Sequence, residues 1–106
     1  MTDMKWLRIS ESGIVSGSVL YGAERISLTG TRQVWKFGRT KNLRRRVKEF
    51  GYPTIPRYVL PLSPEDDAVS LERMMHRVCP LPPCGGGREI YQGTTEQVEV
   101  WLYGTP

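Results

Sequence analysis

Residues Trp35 to Phe50, WKFGRTKNLRRRVKEF, decide how this chain folds. Just before and into the stretch, Gln33, Val34, Trp35, Lys36 and Phe37 are mostly β-branched, aromatic or long, and predict a strand. Gly38 then lets the backbone turn, and Thr40 offers an N-cap for a following helix. In that helix Leu43, Val47 and Phe50 recur at i, i+4 and i+7, a single apolar face. Gly51 is placed to close it as a left-handed cap. Seven of the fifteen basic residues fall here: Lys36, Arg39, Lys41, Arg44, Arg45, Arg46 and Lys48.

The arginines of the helix are not equivalent. At about 100° per residue, Arg45 points roughly opposite to Leu43, and Arg44 also lies off the apolar face. Arg46 sits about 60° from Leu43 and about 40° from Phe50, at the edge of the buried face. Arg44 and Arg45 are therefore expected in solvent, and Arg46 reaching inward over the sheet. For Arg46, geometry leaves two roles open: a snorkelling side chain over apolar surface, or an inward functional group.

Outward from this stretch, Ser18 to Tyr21 reads as a strand with Val19 and Tyr21 on one face and Leu20 on the other. Turn residues between Gly22 and Thr31, around Ile26 to Leu28, predict a hairpin joining it to the strand at Gln33–Phe37. Residues 1–17 form an N-terminal extension, with a short extended segment at Trp6, Leu7 and Ile9. On the other side, Tyr52, Pro53 and Pro56 mark a loop, and Arg57 to Leu62 a third strand. Ser63-Pro64-Glu65-Asp66 predicts a helix start, with Ser63 as N-cap and Pro64 at the first turn. That helix runs to about Cys79 and buries Ala68, Leu71, Met75 and Val78. Glu72 lies near this apolar face, where a carboxylate is costly unless paired or bound to a metal. His76 follows it at i+4, so the two side chains are neighbours. A salt bridge from Glu72 to Arg46 or Arg73, or exposure at the helix edge, is the structural alternative. Pro80 to Gly87 is a loop, Glu89 to Tyr91 a short extended piece, and Thr94 to Gln97 caps a last helix. That helix turns Val98, Trp101 and Leu102 inward and stops at Gly104. The expected architecture is α+β: a small three-stranded antiparallel sheet flanked by about three helices, in the order β-β-α-β-α-(β)-α. Residues 18–106 make up one domain.

Composition narrows the function. The chain has 106 residues, enough for one modest core, with 39% hydrophobic and 25% charged residues. No run is long or apolar enough to span a membrane, and MTDMKWLRIS lacks the apolar core of a signal peptide, so the cytoplasm is the expected location. A net charge of +4, concentrated in one stretch, points to a polyanionic partner. His76, Cys79 and Cys84 offer three ligands of a zinc site, but no fourth is apparent and the spacing fits no familiar pattern. A helical Cys79 and a loop Cys84 without metal or disulfide is the preferred reading.

Together these motifs resemble the GIY-YIG nuclease superfamily, in particular a small phage-type branch with a Lys-Ile-Gly second motif. The matching residues are Val19-Leu20-Tyr21, Lys36-Phe37-Gly38-Arg39-Thr40, Arg46 eight residues after Gly38, Leu71-Glu72-Arg73 with His76, and Arg88-Glu89-Ile90-Tyr91. The likeness spans about residues 18 to 102. It implies that Tyr21 helps activate an attacking water or acts as general base, Arg46 steadies the phosphate, and Glu72 holds Mg²⁺ or Mn²⁺. Lys36 replaces the tyrosine of the second motif and would contact the scissile phosphate, with His76 orienting the carboxylate or a metal-bound water. The late asparagine of many members is absent, and Glu89 stands near its place.

The function implied is a metal-dependent endonuclease acting on DNA, with Arg39, Lys41, Arg44, Arg45 and Lys48 contacting backbone phosphates. The alternative is a catalytically silent nucleic-acid-binding module, such as a phage accessory or inhibitor protein, using the same basic face. An RNA-binding domain stacking Trp35 and Tyr52 on bases is a third reading. A domain this small has little surface for reading bases, so sequence specificity would call for a homodimer or a partner protein.

Overall fold

The computed structural model describes residues 1–26, 33–51, 53–84 and 89–105. The expected turn around Ile26 to Leu28 lies largely outside them, as do Tyr52, the Gly85–Gly87 part of the loop and Arg88 of the closing motif. In chain order the elements are β1 (Leu7–Arg8), α1 (Ile9–Ser12), β2 (Val19–Arg25), β3 (Val34–Thr40), α2 (Leu43–Glu49), β4 (Thr54–Pro61), α3 (Ala68–Val78), β5 (Ile90–Gln92) and α4 (Thr95–Tyr103).

The strands form one antiparallel sheet in the order β1-β4-β2-β3-β5. This corrects the expected three-stranded sheet with three helices: the described residues hold five strands and four helices. The three long strands lie at the centre, but β2 and β4 outrun their expected bounds: β2 continues through Gly22 to Arg25, into the expected turn, and β4 starts at Thr54 and takes in Pro56 of the expected loop. The additions are a two-residue and a three-residue strand at the two edges, together with the four-residue α1. Elements that short show no periodicity of their own; the neighbouring strand's free N–H and C=O groups recruit them. The outermost strand on one side comes from the N-terminal extension, where Leu7 and Arg8 stand opposite Val59 and Tyr58.

Alternation along β2 places side chains in two apolar layers. On one face Val19, Tyr21, Ala23 and Val59 pack with Leu43, Val47 and Phe50 of the α2 region and with Ile9 and Val15. On the other, Leu20, Trp35, Phe37, Tyr58 and Leu60 meet Met75 of α3, Leu81, and Val98, Trp101 and Leu102 of α4. The Phe37 and Trp101 rings meet edge to face with centroids 5.1 Å apart. Each such side chain contributes roughly 1.5–3 kcal/mol by leaving water, so both faces of the sheet hold the domain together.

Several element ends differ from expectation. β3 does not break at Gly38 but runs on to Thr40, because β2 pairs along its whole length from Val19↔Thr40 to Arg25↔Val34. Asn42, not Thr40, caps α2, accepting a hydrogen bond from the Arg45 N–H at 3.0 Å; Thr40 Oγ1 accepts from the Asn42 N–H instead. α2 ends on an extended Phe50 rather than a left-handed Gly51. Ser63 and Asp66 bond each other in a turn, and α3 starts later, capped by Asp67 on the Ser70 N–H. Val78, expected inside, is 48% exposed; the helix ends there, and Leu81 from the following loop enters the core. α4 has the expected Thr94–Gln97 capping box and a left-handed Gly104 at its end.

Candidate active site

The site forms at the free stretch of β3 just beyond β5. β5 pairs with β3 only at Val34, Trp35 and Lys36, and the Phe37 N–H continues the ladder to the Glu89 carbonyl at 3.0 Å. Beyond that point come Gly38 and Arg39, with α2 on one face of the sheet and α3 on the other.

Tyr21 stands directly opposite Gly38 in β2 and is 1% exposed. Its ring lies over the glycine so closely that a Cβ there would come within 2.7 Å of the hydroxyl. Only glycine lets the phenol reach the β3 edge. Arg46 projects inward from α2, its guanidinium over the Phe50 ring at 5.4 Å and hydrogen-bonded to the Tyr21 hydroxyl. Burial raises the Tyr21 hydroxyl above its ordinary value of 10; Arg46 opposes this shift, and the Glu89 and Glu72 carboxylates add to it. Arg46 is itself held more firmly protonated, first through its bond to Tyr21. Arg46 thus covers an aromatic ring and also brings its charge inward to the sheet.

From the other side α3 presents Glu72 and His76, one turn apart, and the chain entering β5 presents Glu89. One ligand atom from each of these three residues lies within 4.8 Å of the others. His76 Nδ1 is 2.8 Å from the Tyr91 hydroxyl, and the two rings stack at 5.8 Å. His76 Nε2 is buried with no hydrogen-bond partner, which is uncommon for a polar atom out of water. A histidine fixed through one nitrogen and free at the other is arranged as metal ligands are. Glu89 adopts φ +75°, the one non-glycine positive φ among the described residues. A glutamate rarely takes that conformation, and such strain gathers at functional sites. Two carboxylates and an imidazole fit Mn²⁺, and the carboxylates fit Mg²⁺.

Both carboxylates carry cations. Lys36 Nζ is 3.4 Å from Glu89 Oε2, and Arg39 Nε is 3.3 Å from Glu72 Oε1. The ion-pair partner of Glu72 is therefore Arg39 rather than Arg46 or Arg73. Lys36 shares the face of Tyr21, being opposite Ala23 while Tyr21 is opposite Gly38. Of the five expected site residues, Tyr21 lies against Gly38 and is bonded to Arg46, Glu72 and His76 gather with Glu89, and Lys36 is tied to that cluster through Glu89. Arg39, Lys41, Arg44, Arg45 and Lys48 are exposed, on and around the β3–α2 connection. Trp35 is 0% exposed and donates its indole N–H to the Gly93 carbonyl at 3.0 Å, so it is a core residue and not a stacking platform. Cys79 and Cys84 are free thiols, and neither belongs to the cluster around His76; burial pushes the Cys79 thiol up.

The resemblance sets Glu89 near the place of the late asparagine and Tyr91 in the closing motif, but gives neither a role as a metal ligand or as a partner of His76. The positive φ of Glu89 cannot be read from the chain. Tyr91 reads as a strand aromatic, and its bond to His76 depends on the sheet register. The arrangement gathers cation ligands, a fixed guanidinium and a buried phenol at one strand edge, beside an exposed basic surface. No protein-family model matches the chain, and neither do any curated protein or solved structure.

Proposed function

We propose that this protein is a divalent-metal-dependent endonuclease of the GIY-YIG type, hydrolysing DNA phosphodiester bonds at the β3 edge. The observation that carries this reading is the Glu72–His76–Glu89 cluster, donors within 4.8 Å of one another, next to the Tyr21–Arg46 pair. Glu72, His76 and Glu89 would hold the cation, which supplies positive charge against the phosphate as negative charge builds up on it. Arg46 supplies a second fixed charge for the same oxygens, already oriented by its hydrogen bond to Tyr21. Arg46 donates to the Tyr21 oxygen, which leaves the phenolic proton to donate outward. With its pKa raised, Tyr21 is a neutral phenol at pH 7, so it orients a water or a phosphate oxygen by hydrogen bonding rather than by removing a proton. The exposed Arg39, Lys41, Arg44, Arg45 and Lys48 place the duplex without reading its sequence.

The decisive assay is plasmid nicking with Mn²⁺, with Mg²⁺ and with EDTA, on the wild-type protein and on Glu72→Gln. The substitution keeps shape and removes charge. Nicking should require the cation and vanish in Glu72→Gln, while far-UV circular dichroism stays unchanged and DNA binding persists. Full nicking by Glu72→Gln would remove Glu72 from the metal site.

One observation favours a second reading. Both carboxylates are already ion-paired, with Lys36 and Arg39, which suits a module that binds nucleic acid through its basic face and does not cut. Binding without nicking in either metal would select it. No helix among the described residues is long and apolar enough to cross a membrane; a DNA substrate and two free thiols accord with the cytoplasm.

A further inference from the structure

Lys36 and Arg39 have an unusual position for phosphate-binding residues. They flank Gly38 on β3, project to opposite faces of the sheet, and each is spent on a carboxylate, Lys36 on Glu89 and Arg39 on Glu72. Those carboxylates are two of the three groups gathered at 4.8 Å. With the pairs made, the charges of the two acids and the two bases cancel. A divalent cation on Glu72, His76 and Glu89 would repel the Lys36 ammonium and the Arg39 guanidinium at close range. Arg39 already has a side chain 43% exposed and Lys36 one 18% exposed, so both can swing toward solvent at the edge where a nucleic-acid backbone would lie.

We propose that Lys36 and Arg39 are placeholders for the cation: a divalent metal at Glu72, His76 and Glu89 releases both side chains to nucleic-acid phosphates, so that metal and nucleic acid bind cooperatively. The inference rests on the metal reading of the proposed function and adds to it a coupling between the two ligands. It also runs against the usual effect of divalent ions, which compete for phosphates and weaken protein–DNA binding.

The test is binding of a labelled short duplex, followed by fluorescence anisotropy at fixed ionic strength with and without saturating Mn²⁺, in the cold. A gel confirms that the duplex is intact, and calorimetry measures Mn²⁺ binding to the protein alone. Mn²⁺ should raise DNA affinity about tenfold and steepen the salt dependence by roughly one to two units, at about 0.9 for each further phosphate neutralised. The duplex should tighten Mn²⁺ binding by the same factor, as linkage requires. The Lys36→Met/Arg39→Met double variant should bind Mn²⁺ at least as well as wild type and lose the enhancement. Mn²⁺ binding with DNA affinity unchanged or lowered in the wild-type protein would overturn the coupling alone. An absence of Mn²⁺ binding would overturn the metal reading and the coupling with it.

Discussion

Replacing Gly38 by alanine tests whether the close approach of Tyr21 to β3 holds the site together. The new Cβ would stand 2.7 Å from the Tyr21 hydroxyl oxygen, 3.0 Å from Cζ and 3.2 Å from Cε2. These are the atoms of a rigid ring at 1% exposure, packed against Phe50 with centroids 5.9 Å apart. To restore ordinary contact the ring must move by on the order of 0.5–1 Å, and overpacking of that kind costs roughly 1–3 kcal/mol. The movement also draws the hydroxyl off Arg46, a hydrogen bond to a charged group worth roughly 1.5–3 kcal/mol when made well. Against this, alanine restricts the unfolded chain and returns about 0.4–1 kcal/mol. Gly38 is not among the positive-φ glycines, so no backbone strain is added. The net loss should be about 3 kcal/mol, measured by urea unfolding with the buried tryptophans as probes. Tyr21→Phe on its own should cost about 1.5–3 kcal/mol, the lost bond to Arg46. Combined with Gly38→Ala it should cost close to nothing, since the oxygen in the tightest contact is then gone. A double-mutant cycle should show at least ~1 kcal/mol of coupling. Additive costs within about 0.5 kcal/mol, or a Gly38→Ala variant as stable as wild type, would refute the reasoning.

Arg46→Ala should abolish nicking with only a modest loss of DNA affinity, and Arg45→Ala should leave nicking in place; the reverse result in the plasmid assay would mean that the inward guanidinium is structural. Neutralising Arg44 and Arg45 together to glutamine should weaken DNA binding and flatten its salt dependence by roughly one to two units, read from affinities across a salt series; an unchanged slope would make that face merely solvated. A pH effect is expected at the other edge of the sheet. The Tyr58 hydroxyl donates to Glu99 Oε2 at 2.6 Å and Arg8 Nε donates to the same oxygen at 3.3 Å. Together they hold the Glu99 carboxyl below its ordinary value of 4.5, Tyr58 contributing most. A carboxyl depressed in the folded state stabilises above that ordinary value, and the contribution is lost as pH falls through the folded value. Tyr58→Phe should therefore lower Tm more at pH 7 than at pH 3, and an equal loss at both would separate Glu99 from the effect.

Long-period features were legible in the sequence. The inward trio Val98, Trp101 and Leu102, the opposite faces of Leu20 and Tyr21, and the inward lean of Arg46 all follow from regular helix or strand geometry, and the folded chain obeys it. Short-range competition was not legible. Ser63, Asp66 and Asp67 each offer a cap within five residues; the first two bond each other, and only Asp67 is left for α3. Nor was long-range pairing legible. Arg39 was read as a phosphate contact, and its tie to Glu72 depends on α3 crossing the end of β3. Glu89 enters the site through a backbone conformation that glutamate seldom adopts, which no residue-type rule would assign to it.

The two short edge strands have a consequence for assembly. On the outside of β4, β1 occupies Tyr58 and Val59, while Pro56 and Pro61 lack the N–H that a further strand would need. On the outside of β5, the segment at Pro82–Cys84 is already bonded: the Gln92 N–H donates to the Pro82 carbonyl, the Cys84 N–H donates to the Ile90 carbonyl, and Pro83 bridges Tyr91. Both margins are thus blunted against edge-to-edge polymerisation, the route by which small sheets grow into fibres. The backbone of β3 beyond β5, at Gly38 and Arg39, is the stretch of edge that stays open, and it is there that the candidate site lies.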